Sequence, residues 1–287
     1  MKVGFIGLGQ MGGPLAKWIL DAGFPLAVHD VQKHVAAPLL EMGAVWAESP
    51  GHLTEQCDVV ATCLPGPVEM EAVTMGPDGI LEKIRPGTIY IDHTTNSPEV
   101  VRAVGSEMDN RNVKMLDIPL DGGREGALAG NLTLFAGGDQ AALESVRPVL
   151  KSFSSVVVWV GELGTGSITK IVHNALAMSV DLLVTECLTL GVKGGVELPR
   201  LIEAFKRGAV LGGNMPFLKR MPETLFQGDF SPRFALNLAC KDYGLASELA
   251  VQHEVPTQLI DLCQRELSKA LDRGWGDQDR TIASTLQ

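Results

Sequence analysis

The 287-residue chain is short of positive charge. Its 24 Lys and Arg stand against 34 Asp and Glu, giving a formal net charge of -10. That balance argues against a general nucleic-acid binder, which needs a basic face for phosphates. Cysteine is scarce as well. The five (Cys57, Cys63, Cys187, Cys240 and Cys263) form no CxxC pair and no His/Cys cluster with zinc spacing. Reduced, mostly buried thiols and a reducing compartment are expected, with no metal site. No uninterrupted apolar run approaches the roughly 18 residues of a membrane span. The stretch 175–185 is broken by Asp181. The first strand pattern begins at Lys2, with no leader pattern before it, so a cytoplasmic protein with no membrane partner is expected.

Glycine and alternating apolar runs are plentiful instead. Runs at 3–6, 26–29, 59–64, 89–91 and 115–116 read as buried strands. Helical patterns near 12–22, 31–42, 68–75 and 98–110 lie between them. This alternation predicts an α/β domain, a doubly wound parallel sheet of Rossmann type. Residues 156–160 form the last strand-like run, and glycines 161, 164 and 166 then make a loop. From Ser167 to about Val192 the pattern predicts one long helix, too apolar to be covered on a single side. Helical patterns continue from Leu198 to the end, interrupted at Gly212-Gly213 and by prolines 216, 222, 232 and 256. The expected organisation is a dinucleotide-binding domain over 1–162 and an all-helical domain over 163–287, with a long linking helix at 163–195.

The segment Gly7-Leu8-Gly9-Gln10-Met11-Gly12 is a GxGxxG run between a strand and a helix. Gly7 permits the tight turn, Gly9 the approach of a pyrophosphate, and Gly12 close packing of helix on strand. The helix N-terminus offers N–H groups and partial positive charge. Asp30 ends the second strand, 18 residues after Gly12. A carboxylate there accepts hydrogen bonds from ribose hydroxyls and repels a 2′-phosphate, so NAD is expected over NADP.

Three more segments carry chemistry: Asp117-Ile-Pro-Leu-Asp121-Gly122-Gly123, Gly164-Thr-Gly-Ser-Ile-Thr-Lys170-Ile-Val-His173-Asn174, and Lys241-Asp242. Lys170 and Asn174 share one helix face by their i, i+4 spacing. An ammonium on an apolar helix is costly without a partner or a role, and desolvation brings a lysine toward the range of proton transfer.

Together with the N-terminal fingerprint, these segments resemble the β-hydroxyacid dehydrogenase family, whose members include 3-hydroxyisobutyrate dehydrogenase and tartronate semialdehyde reductase. The resemblance covers nearly the whole chain. It implies that Lys170 is the proton donor or acceptor beside the nicotinamide and that Asn174 orients a small hydroxylated substrate. It implies that Gly122 and Gly123 bind the substrate carboxylate through their N–H groups. It further implies cofactor contacts from Leu64, Pro65, Glu69, Thr95 and Lys241, with assembly as a homodimer or homotetramer. Two departures stand out. Asp121 replaces the family's serine, and 208–214 lacks the serines common in relatives. Asp121 then bonds substrate hydroxyls or an amino group, is neutralised by Arg124, or points away. Arg124 holding the substrate anion is a related option, and His93 and His173 are possible further donors. An imine reductase and a catalytically silent NAD-binding sensor are the competing readings. The first is disfavoured by Lys170, the second by Lys170, Asn174 and the two glycines.

Overall fold

The computed structural model describes residues 1–207, 221–252 and 257–286. It divides into two compact units, Met1–Lys170 and Ile171–Gln287.

The first unit is built on a nine-stranded sheet among the described residues: β1 Val3–Ile6, β2 Leu26–His29, β3 Val45–Trp46, β4 Val59–Thr62, β5 Ile89–Asp92, β6 Lys114–Asp117, β7 Leu120–Asp121, β8 Leu132–Gly138 and β9 Ser154–Gly161. The order is β3-β2-β1-β4-β5-β6-β8-β7, with β9 on β8. The strands β1 to β6 pair in parallel, so their carboxyl ends open on one edge, where ligands of such sheets collect.

Alternation along each strand sends side chains to two cores. Phe5, Val59, Ala61 and Leu116 face one, and Ile6, Val60, Tyr90 and Met115 the other. Both faces are therefore covered, as the apolar runs require.

The parallel sheet gains an antiparallel strand at its far edge. β8 pairs antiparallel with both β6 and β7. Pro119 interrupts the β6–β7 run, yet its carbonyl still accepts from the Phe135 N–H at 3.2 Å. The helix expected near 31–42 also breaks, into a 3-10 turn at Lys33–Ala36 and a short helix at Ala37–Glu41. Pro38 has no N–H to give a longer helix, and the Gln32 N–H is taken by Asp30.

The long helix runs Thr165–Lys193. The unit boundary falls inside it, eight residues beyond the expected 162, because its first turn is tied to the sheet by Asp117. The segment Thr165–Thr185 is long and apolar enough by length and composition to cross a membrane, which the broken run at Asp181 did not lead us to expect. Asp181 is nonetheless buried and ion-paired with Arg280.

The second unit also holds helices Leu198–Arg207, Leu236–Gln252 and Gln258–Leu271. Its core gathers Met178, Leu236, Tyr243, Leu267 and Ile282. Val172, Leu176 and Leu183 form an apolar stripe on the long helix, and Leu176 is 67% exposed.

Candidate active site

The glycine loop follows β1 and leads into the helix Gly12–Asp21. Gly7 has φ +91°, and a Cβ there would stand 2.3 Å from the Cys63 carbonyl oxygen. A Cβ on Gly12 would stand 1.9 Å from the Gly7 oxygen. At Gly9 it would meet nothing within 4 Å, so this backbone faces open space. Two glycines close the turn and the third leaves room for a ligand. That cradle fits a dinucleotide pyrophosphate. No side chain caps the Gly12–Asp21 helix and no acidic residue sits in its first turn, so its positive end is not neutralised.

Asp30 braces this loop. Its Oδ2 accepts from the Leu8 N–H at 2.7 Å and its Oδ1 from the Gln32 N–H at 2.8 Å. The nearest following cation, Lys33, is engaged elsewhere. Its Nζ lies 3.1 Å from Glu48 Oε1 and 5.1 Å above the Trp46 ring.

Leu64 and Pro65 follow the end of β4. The Leu64 N–H donates to Thr94 Oγ1 at 3.1 Å, which links this turn to the segment carrying Thr95. Behind it lies a buried network that sequence reading missed. Asp92 accepts from Thr62 Oγ1, the Thr94 N–H and the Asn96 amide. Its carboxyl is pushed up by burial. Glu69 is exposed on the first turn of the helix Pro67–Met75.

His93 is not a site donor. Its Nδ1–H donates to the Ile118 carbonyl at 2.7 Å, its ring packs on Phe5 and Phe153, and burial pushes it down to about 4, so it is neutral.

On the substrate side, Asp121 ends β7 and Gly122 and Gly123 follow with φ +117° and +61°. Both values lie in the left-handed region that favours glycine. Their backbone opens the helix Gly123–Ala129, whose exposed second residue is Arg124. Lys170, mostly buried on the long helix, places Nζ 3.2 Å from Asp121 Oδ1. The substituted loop carboxylate thus meets the lysine singled out for proton transfer, an arrangement not foreseen among the possible roles of Asp121.

In the second unit, Asn174 Nδ2 donates to Asp242 Oδ2 at 2.7 Å. Lys241 Nζ lies 2.9 Å from Asp242 Oδ1. The buried Asp242 therefore fixes the Asn174 amide, a role that its adjacency to Lys241 in sequence does not reveal. His173 is half-buried on the same helix. The serine-poor stretch 208–214 lies outside the described residues.

Among the described residues no His, Cys, Asp or Glu group could hold a metal ion. Burial raises Cys57, Cys63 and Cys240 to about 11, 12 and 11, so none is a ready thiolate.

Known proteins resemble the chain over nearly its whole length. Residues 2–161 match the NAD-binding domain of 6-phosphogluconate dehydrogenase. Residues 164–286 match the domain described as NAD-binding of NADP-dependent 3-hydroxyisobutyrate dehydrogenase. The chain is 32% identical to an NAD-dependent L-serine dehydrogenase of Pseudomonas aeruginosa, over 99% of this chain and 97% of that one. It is 30% identical to the mitochondrial 3-hydroxyisobutyrate dehydrogenase of Mus musculus, over 96% and 84%. Among solved structures, 3-hydroxyisobutyrate dehydrogenase of Mycobacterium tuberculosis with L-serine superposes with TM-score 0.89 at 26% identity, covering 99% of this chain and 98% of that one. An imine reductase from Pseudomonas sp. reaches TM-score 0.58 at 16% identity, over 98% and 97%, which is a likeness of fold alone.

Proposed function

Because the chain belongs to the β-hydroxyacid dehydrogenase family and is an NAD(P)-dependent oxidoreductase of hydroxy acids, we propose that it works with NAD on a small 3-hydroxy acid bearing a further amino or hydroxyl group. The observation that carries this reading is Lys170 Nζ held 3.2 Å from Asp121 at the carboxyl edge of the sheet.

The dinucleotide, when bound on the Gly7–Gly12 loop, accepts or supplies the hydride. The protein's own residues handle binding and the proton. In oxidation Lys170 takes the proton from the substrate hydroxyl oxygen. In reduction it returns a proton to the carbonyl oxygen. The Gly122 and Gly123 N–H groups hold the substrate carboxylate, with Arg124 adding positive charge beside them. Asn174, one helical turn beyond Lys170, orients the substrate.

Asp121 sets the substrate class. A second carboxylate beside a bound carboxylate is repulsive when desolvated. A substrate ammonium or hydroxyl near Asp121 relieves that repulsion. Relatives with L-serine in their names support the amino group.

The preference for NAD rests on Asp30 and on Lys33 being occupied by Glu48. It stands against a domain description that names NADP. Homodimer or homotetramer assembly is supported by the exposed stripe of Val172, Leu176 and Leu183. A cytoplasmic location is supported by the free thiols at Cys57, Cys63, Cys240 and Cys263.

The test is turnover with NAD and NADP across 3-hydroxy acids, β-hydroxy amino acids, sugar acids and cyclic imines, for the wild type and Lys170→Ala. The expected result is NAD-linked oxidation of a polar 3-hydroxy acid, lost in the variant. Turnover of imines alone, or NAD binding without turnover of any substrate, overturns the reading.

A further inference from the structure

We infer that Asp117 is a positioning residue for the proton-transfer step, its carboxylate holding the start of the Lys170 helix against the strand end from which the Asp121 loop departs. The inference rests on the role of Lys170 proposed above. Asp117 is the last residue of β6 and is fully buried. Its Oδ1 accepts from the Gly164 N–H at 2.8 Å and its Oδ2 from the Ser167 N–H at 2.7 Å. A helix that begins at Thr165 has no internal acceptor for the N–H groups of its first turn. Asp117 supplies one from outside the helix, together with an anchor for the residue before it. Lys170 follows Ser167 by three residues, less than one turn.

The same residue begins the segment that leads to Asp121. The Ile118 N–H donates to the Asp92 carbonyl at 2.7 Å. Leu120 and Asp121 pair with Leu134 and Thr133 on β8. The five residues from Asp117 to Asp121 are thus held to the sheet, and the helix start that precedes Lys170 is pinned to Asp117 through Gly164 and Ser167. Two hydrogen bonds and a short fixed segment therefore set the separation of Lys170 from Asp121.

The fit leaves no slack. A Cβ at Gly137 would stand 2.4 Å from Asp117 Oδ1. One at Gly166 would stand 2.3 Å from the Asp117 carbonyl oxygen and 3.0 Å from its Oδ2. Glycine at these two positions is what admits the carboxylate. Burial pushes the Asp117 carboxyl up to about 6, against the lowering effect of the Ser167 and Gly164 N–H groups. An ionised carboxylate at neutral pH makes both hydrogen bonds charge-assisted.

The experiment compares Asp117→Ala and Asp117→Asn in the full chain. It measures kcat and KM for the best substrate, NADH affinity by fluorescence, and hydrogen exchange across 163–170. For Asp117→Ala we expect faster exchange in that segment, kcat lower by about 10- to 100-fold through misplacement of Lys170, KM within about threefold and NADH affinity unchanged. Asn keeps one acceptor oxygen and should recover part of the lost kcat, so it serves where Ala fails to fold. Unchanged exchange, or faster exchange with wild-type kcat while Lys170→Ala is inactive, overturns the inference and leaves the function standing. Wild-type turnover by Lys170→Ala removes the functional reading itself, and the positioning role with it.

Discussion

The two halves of the candidate site in the sheet-bearing unit are made of different materials. The cofactor half is backbone: Gly7, Gly9 and Gly12 shape a loop, and Asp30 braces it by accepting backbone N–H groups. The substrate half is side-chain charge: Asp121 against Lys170, beside two left-handed glycines. A backbone site is specified by what must be absent, a Cβ, and so it reads alike across many enzymes. A charge site is specified by what is present, so one substitution resets its chemistry without moving the chain.

That contrast makes different variants fail in different ways. The largest effect is expected for Lys170→Ala. General acid–base catalysis contributes about 10²- to 10⁴-fold, and kcat should fall by that order while NADH binding stays within twofold, as read by steady-state kinetics and fluorescence titration. Gly12→Ala should do the reverse. Its Cβ, 1.9 Å from the Gly7 oxygen, forces the loop and helix apart. Overpacking of this kind costs about 1–3 kcal/mol, so NADH affinity should weaken by roughly tenfold or more, with a lower Tm. Asp30→Ala lies on the boundary of the contrast, because it removes a charge and a brace together. The NAD-to-NADP ratio of kcat/KM should drop about tenfold, equivalent to ~1.4 kcal/mol. An unchanged ratio removes Asp30 from coenzyme selection.

The smallest effect lies outside both halves. His93 is held neutral in the folded state, pushed down to about 4 from an ordinary value near 6.5. Below that ordinary value the unfolded chain binds a proton that the folded chain refuses. The stability involved is complete above about pH 6.5 and is lost as pH falls toward 4. His93→Gln should be less sensitive to acid than the wild type over that window, measured as Tm against pH.

The same contrast explains what was legible in the sequence. The glycine loop was readable because its shape follows from local backbone demands between a strand and a helix, whereas Asp30 was marked for ribose hydroxyls and not for the Leu8 and Gln32 N–H groups it accepts. Strands β1, β2, β4, β5 and β6 were readable because runs buried on both faces have little polar interruption. The strand β8 was not, since Gly137 and Gly138 dilute its pattern and its antiparallel pairing with β6 depends on a chain reversal between Asp121 and Leu132. The Asp121–Lys170, Asp117–Ser167 and Asn174–Asp242 contacts join residues 49, 50 and 68 positions apart. Nothing local encodes those separations, so the residue types were recognisable as chemically active while their partners were not. Asp121 was marked only as a departure from the family's serine. Its partner became visible when the fold brought Lys170 to it.

Asp121→Ser, assayed on paired substrates, tests the central claim most directly. The pair is a plain 3-hydroxy acid and its counterpart bearing an amino or second hydroxyl group, with NADH affinity measured alongside. The account predicts that kcat/KM shifts by about tenfold or more toward the plain acid, while NADH affinity and the NAD preference stay as in the wild type. Unchanged discrimination between the two substrates, or a loss of cofactor binding of similar size, would contradict it.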